Sequence, residues 1–167
     1  MNEDKTVEIL KNAILLEKRG YAFYSKVAQQ ASSEAVKQFF SLMAEEELTH
    51  VRILSEQFKN HRSGKKFTPG ASAADAAFKT ASRILTPDLK RQISAADYEA
   101  AAIAAAMSME QNAIQVYSRR AAEARDATEK GFYEWLAKWE GEHLSFLSQL
   151  DKEITEAIWH DNNFWPF

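Results

Sequence analysis

Two histidines in this sequence each follow a glutamate by three residues, in Glu47-Leu-Thr-His50 and in Glu140-Gly-Glu-His143. A further glutamate stands 30 residues before each pair's acid: Glu17 before Glu47 and Glu110 before Glu140. Residues three apart on a helix share a face, so each pair offers a carboxylate and an imidazole to one point in space. Those two donor types together suit iron, manganese or zinc. A lone Glu-x-x-His is ordinarily a solvated helix face. Two of them, at matched positions and each with a matched glutamate upstream, point to one shared metal centre.

The matching extends along the chain. A shift of 93 residues places Glu17 on Glu110, Tyr24 on Tyr117, Ala28 on Ala121, Phe39 on Phe132, Glu47 on Glu140, His50 on His143 and Leu54 on Leu147, without a gap. The chain therefore reads as two copies of a helical hairpin with internal pseudo-twofold symmetry. With only 5 Gly and 3 Pro, long stretches run without a breaker, which favours helix over sheet. The pattern predicts four helices, over 4–31, 34–60, 95–125 and 127–159. Ser32 or Ser33 can cap the second. Ser94-Ala-Ala-Asp97 and Asp126-Ala-Thr-Glu129 resemble capping boxes for the third and fourth.

Residues 61–93 differ in character, holding Gly64, Pro69, Gly70, Pro87 and a short helix expected at 72–85. A tight helix–helix turn needs far fewer residues. A connection of that length can run along the bundle, so that helix three starts where helix two started, which is the one-crossover topology. The alternative is a flexible linker between two hairpins. The expected architecture is a single all-α domain over 1–167: hairpin 4–60, crossover 61–93, hairpin 95–159 and an apolar tail 160–167. The tail's Phe164-Trp165-Pro166-Phe167 is expected to pack on the bundle or on a second subunit.

The buried stripes predicted from 3–4 spacing place an acid in the middle of each helix. Helix one gives Leu10, Ile14, Glu17, Tyr21, Tyr24, Ala28, and helix two gives Val36, Phe40, Met43, Glu47, His50, Leu54. Helix three gives Ile103, Ala106, Glu110, Ile114, Tyr117, Ala121, and helix four gives Tyr133, Leu136, Glu140, His143, Leu147, Leu150, Ile154. Four buried carboxylates without compensation would be costly. Two divalent cations would balance them. One Glu from each of two helices and Glu-x-x-His from each of the other two is the donor set of ferritin-like di-metal carboxylate bundles. In that arrangement Glu47 and Glu140 would bridge the metals, Glu17 and Glu110 would be terminal ligands, and His50 and His143 would bind one metal each. Tyr24 and Tyr117, seven residues after Glu17 and Glu110, could orient ligand carboxylates from behind, or could be plain core residues. Glu45 and Glu46 leave the ligand face and are expected to be solvated. His61 and His160 are expected at the surface, and Trp135 and Trp139 in packing or a subunit contact.

On these residues the chain resembles the rubrerythrin branch of the ferritin-like superfamily, over 8–58 and 95–154. The resemblance implies a ferritin-like four-helix bundle, a non-haem centre of two iron ions (with manganese or zinc possible), homodimerisation, and peroxidase or ferroxidase chemistry on hydrogen peroxide or dioxygen. A non-enzymatic iron-handling bundle is the alternative. Two departures stand out. Full-length rubrerythrins carry a rubredoxin domain with a four-cysteine iron site, and this sequence has no cysteine, so electrons would come from a separate donor such as a rubredoxin. The family's extra Glu, one turn after the helix-three ligand, is here Ala113, which predicts weaker peroxide selectivity.

Composition excludes other classes. The net charge of −3 leaves no basic footprint for nucleic acid. Without cysteine, thiolate zinc sites, iron–sulfur clusters and thiol nucleophiles are ruled out. No run approaches the roughly 18 apolar residues of a membrane span. The start, MNEDKTVEILKN, carries no apolar signal segment. A cytoplasmic location is the expectation that follows.

Overall fold

The computed structural model of the chain describes residues 5–68 and 98–160. Four helices make up most of them: α1 (Lys5–Gln30), α2 (Glu34–Arg62), α3 (Tyr98–Glu123) and α4 (Ala127–Trp159). The short helix expected at 72–85, the Ser94–Asp97 cap and the tail beyond His160 lie outside the described residues.

Helix ends follow local chemistry. Ser33 is the N-cap of α2, its hydroxyl accepting from the Val36 amide. At the other end of α2, Gly64 adopts a φ of 71°. There the Gly64 amide donates to His61 O and the Lys65 amide to Asn60 O, closing a Schellman motif that only glycine enters without strain. Asp126 caps α4 by accepting from the amides of Thr128 and Glu129, both at 2.9 Å. The reciprocal half of the expected capping box does not form. The Glu129 carboxylate turns instead to the Arg120 guanidinium, which also reaches Thr6 at 3.2 Å. A buried cation needs an anion more than a capped amide needs a second acceptor, and the pair ties α1, α3 and α4 together.

The loops between α1 and α2 and between α3 and α4 are three residues each, so each hairpin is antiparallel. Lys5, at the start of α1, pairs with Glu123 at the end of α3, and Tyr24, late in α1, meets Glu110 in the middle of α3. Helices α1 and α3 are thus antiparallel, and α3 runs parallel to α2. The connection between them must join opposite ends of the bundle, as the crossover topology requires.

Two apolar clusters fill the interior. One is built around Tyr24, Phe39, Phe40, Met43, Ile103, Phe146, Leu147 and Leu150. The other is built around Leu10, Leu54, Tyr117, Phe132, Tyr133 and Leu136, with Phe67 tilted against Phe132, ring centroids 5.6 Å apart. Full burial of each such side chain contributes about 1.5–3 kcal/mol, which offsets the cost of the polar layer between them. The stripes on α2 and α4 are buried as expected. The stripe on α1 departs at two positions and that on α3 at one. Tyr21 is 40% exposed and Ile14 and Ile114 are only half-buried, while Gly20 and Ala113 face the core. After the acid, each stripe advances by three residues rather than four; at Gly20 the Glu47 side chain stands where a larger side chain would go. No described helix is long and apolar enough to cross a membrane.

Candidate metal centre

The six predicted donors, Glu17, Glu47, His50, Glu110, Glu140 and His143, are all at least 97% buried and converge between the two apolar clusters. Glu140 stands between the histidines: Oε1 lies 2.9 Å from Nδ1 of His50, and Oε2 lies 3.3 Å from Nδ1 of His143. Neither oxygen has a hydrogen-bond partner among the described residues. Nδ1 of His50 also meets Oε2 of Glu17 at 3.1 Å and Oε2 of Glu47 at 3.8 Å. Nδ1 of His143 lies 3.8 Å from Oε1 of Glu110. Both rings therefore turn the same nitrogen toward the carboxyls. Donor atoms of Glu47, Glu110, Glu140 and His143 lie within 4.8 Å of one another, and so do those of Glu17, Glu47 and His50. The two groups overlap at Glu47, and Glu140 reaches both histidines.

The tyrosines cross between hairpins. Tyr24 on α1 donates its hydroxyl proton to Oε1 of Glu110 on α3 at 2.5 Å, and Tyr117 on α3 donates to Oε1 of Glu17 on α1. Each fixes the carboxyl rotamer of the glutamate opposite, which decides between the two roles the sequence left open. Burial, then the nearby carboxylates, raise both phenols well above their ordinary value, so they remain donors.

Without metal, protons balance the charge. Burial alone would lower the His50 pKa, but Glu140 and Glu17 outweigh it and lift it to about 10. His143 is raised well above its usual value against the same burial cost, by Glu110, Glu140 and Glu46. Burial and the neighbouring Glu17, Glu140 and Glu110 push Glu47 well up. Burial raises Glu110 to about 7, with His143 opposing. Glu140 is held below the usual carboxylate range by His50 and His143, despite its burial. The site thus keeps two imidazolium ions around one central carboxylate, positions that two cations could take over. A carboxylate shared between two imidazoles, clustered carboxyls and inward Nδ1 atoms are a donor set that fits a pair of transition-metal ions.

A small cleft reaches this layer between α1 and α3. It is lined by Leu16, Glu17, Gly20, Glu47, Met109, Glu110 and Ala113, and its free volume is about 10 Å³, roughly one water. A Cβ at Gly20 would stand 3.0 Å from both Cδ and Oε2 of Glu47. Mid-helix glycine costs about 1 kcal/mol relative to alanine, and the Glu47 carboxyl occupies the space gained. Gly20→Ala is therefore expected to displace that carboxyl by a few tenths of an ångström and weaken metal uptake by about tenfold or more, the usual scale when ligand support is disturbed. The apoprotein should keep or slightly gain stability. Metal titration and thermal unfolding of the variant check both halves; unchanged uptake would show that the close approach is without consequence.

Sequence reasoning missed one residue here. Glu46 is not solvated but 97% buried, and its Oε2 lies 2.5 Å from Nε2 of His143. The signal was present in the width of the stripe: α2 buries neighbouring pairs, Phe39 with Phe40, Met43 with Ala44 and Glu46 with Glu47. Glu45 is exposed as expected. Trp139 packs its indole roughly perpendicular to the His50 ring, centroids 4.1 Å apart, so it lines the site and is no surface contact. His61 is half-buried against Phe67, whereas His160 is exposed.

A four-helix bundle of two hairpins, with a buried layer of glutamates and histidines, defines the class of ferritin-like di-metal carboxylate proteins. The family model described as Rubrerythrin matches residues 8–151, and the chain belongs to the rubrerythrin family. No curated protein and no solved structure matches the chain significantly.

Proposed function

We propose that this chain is a di-iron oxidoreductase of rubrerythrin type that reacts with hydrogen peroxide or dioxygen. The observation that carries the reading is the convergence of four buried carboxyls and two inward Nδ1 atoms in two overlapping groups. Glu47 and Glu140 would be shared by both ions, Glu17 and Glu110 would be terminal ligands, and His50 and His143 would each serve one. Bound there, two ferrous ions would supply one electron each to an oxidant and clamp its oxygens. The chain's own residues hold that place ready. Tyr24 and Tyr117 lock two of the carboxyls, the apolar clusters flank the site on both sides, and the cleft at Gly20 and Ala113 has room for something about the size of a water. With no cysteine in this sequence, electron delivery by a separate protein is part of the proposal. A homodimer in the cytoplasm is part of the same proposal.

One observation favours a second reading, an iron-handling bundle without turnover. Ala113 leaves the cleft without the additional carboxylate that the family's peroxide chemistry is expected to use. Anaerobic loading with ferrous iron, followed by stopped-flow reoxidation with peroxide and with oxygen, separates the two. Two irons per chain and reoxidation within seconds support the oxidoreductase. Two irons that oxidise no faster than free ferrous ion support handling, and no bound iron would overturn both.

A further inference from the structure

The internal repeat differs at one buried position beside the histidines. Shifting Glu46 by 93 residues lands on Trp139. Both side chains are buried, and both touch a histidine of the opposite hairpin: Glu46 on α2 meets Nε2 of His143 on α4, and Trp139 on α4 packs against the His50 ring on α2. The two histidines are therefore supported differently. Nε2 of His143 donates to Oε2 of Glu46 at 2.5 Å, which fixes the ring plane and keeps the Nε2 proton in place, so that a metal ion displacing the other proton would meet the Nδ1 lone pair. Nε2 of His50 is buried with no hydrogen-bond partner among the described residues, and the ring's neighbour is the Trp139 indole. A carboxyl behind a ligand imidazole raises its basicity and selects its tautomer; an indole N–H only donates and accepts no such hydrogen bond. The donor sets differ in the same sense. His143 belongs to the group of four donors and His50 to the group of three.

We propose that the two metal positions are unequal, with the His143 position filling first and holding its divalent cation more tightly, and the His50 position exchanging its ion. Glu46 is the positioning residue that creates the difference. The inference rests on the two-metal reading above, but not on iron or on any turnover.

Cobalt(II) titration of chelator-treated protein, followed by visible absorption, reads it directly. The wild-type chain should bind two ions in separate steps, with dissociation constants at least tenfold apart. Glu46→Ala should weaken the tighter step by about 10–100-fold, the usual loss when the support of a ligand histidine is removed, and leave the weaker step in place. Glu46→Gln, which can still accept from Nε2, should recover part of that loss. His50→Ala should keep the tight ion, and His143→Ala should not. Thermal unfolding of each apoprotein separates positioning from folding, because a merely structural Glu46 would lower stability and weaken both steps together. Two equal steps in the wild type, or His50→Ala losing the tight ion, would overturn the asymmetry while leaving the two-metal centre standing. No cobalt bound to the wild type would instead remove the centre itself.

Discussion

Replacing Glu140 with alanine is expected to empty both metal positions at once, where losing Glu17 should cost only one. The reason is positional. Glu140 alone presents one oxygen to each histidine, and neither oxygen has a hydrogen-bond partner among the described residues. Its loss also harms the apoprotein. His50 and His143 are held protonated in large part by this carboxylate, which overcomes their burial. Removing one partner from a buried charge cluster costs about 3–5 kcal/mol, because the remaining charge has no compensation. In a chain of this length each kcal/mol moves the melting temperature by about 2–4 °C, so the apo variant should melt on the order of 10 °C below the wild type. Glu140→Gln keeps the volume and removes the charge, and it should fall nearly as far. Elemental analysis after loading, together with thermal unfolding, tests both parts. One full metal equivalent retained in Glu140→Ala would rule out a shared role for this carboxylate.

The second large effect is a stability profile that reverses with metal. In the folded apoprotein Glu47, Glu110, His50 and His143 all have raised pKa values. The folded state then binds more protons than the unfolded chain, and stability falls with rising pH wherever that difference exists. For Glu110 the contribution is complete below its unfolded value of 4.5 and is lost as pH rises through about 7. For His50 it is complete below 6.5 and lost as pH rises through about 10. Glu140 runs the other way, its contribution present above 4.5 and lost only as pH falls below that value. Apoprotein should accordingly be most stable near pH 5 and lose on the order of 10 °C in melting temperature toward pH 9, since each pKa unit corresponds to about 1.4 kcal/mol. Metal-loaded protein should show the opposite trend at the acid end, where protons compete with metal for the same ligands. Parallel melting curves of the two forms across this range provide the test. A flat apo profile would mean that the carboxyls and imidazoles do not share one buried volume.

The sequence by itself determined the helices and the level of the site. Scarce glycine and proline, the caps at Ser33 and Asp126, and apolar residues at 3–4 spacing are local properties, and the doubled Glu-x-x-His could be read because the repeat brought two weak signals into register. Tertiary structure decided what local spacing cannot express. A stripe drawn on one helix does not know how closely the next helix approaches. Hence Gly20 and Ala113, not Tyr21 and Ile114, face the core, and at Gly20 the Glu47 carboxyl takes the room a side chain would need. Nor does it reveal which hairpin a hydroxyl will reach, so the crossed bonds from Tyr24 to Glu110 and from Tyr117 to Glu17 emerge only once α1 and α3 lie antiparallel. Glu46 read as solvated because one helix considered alone shows no partner for a second acid beside Glu47. Its partner, His143, sits 97 residues away on α4, and the hydrogen bond between them exists only because the bundle closes around both.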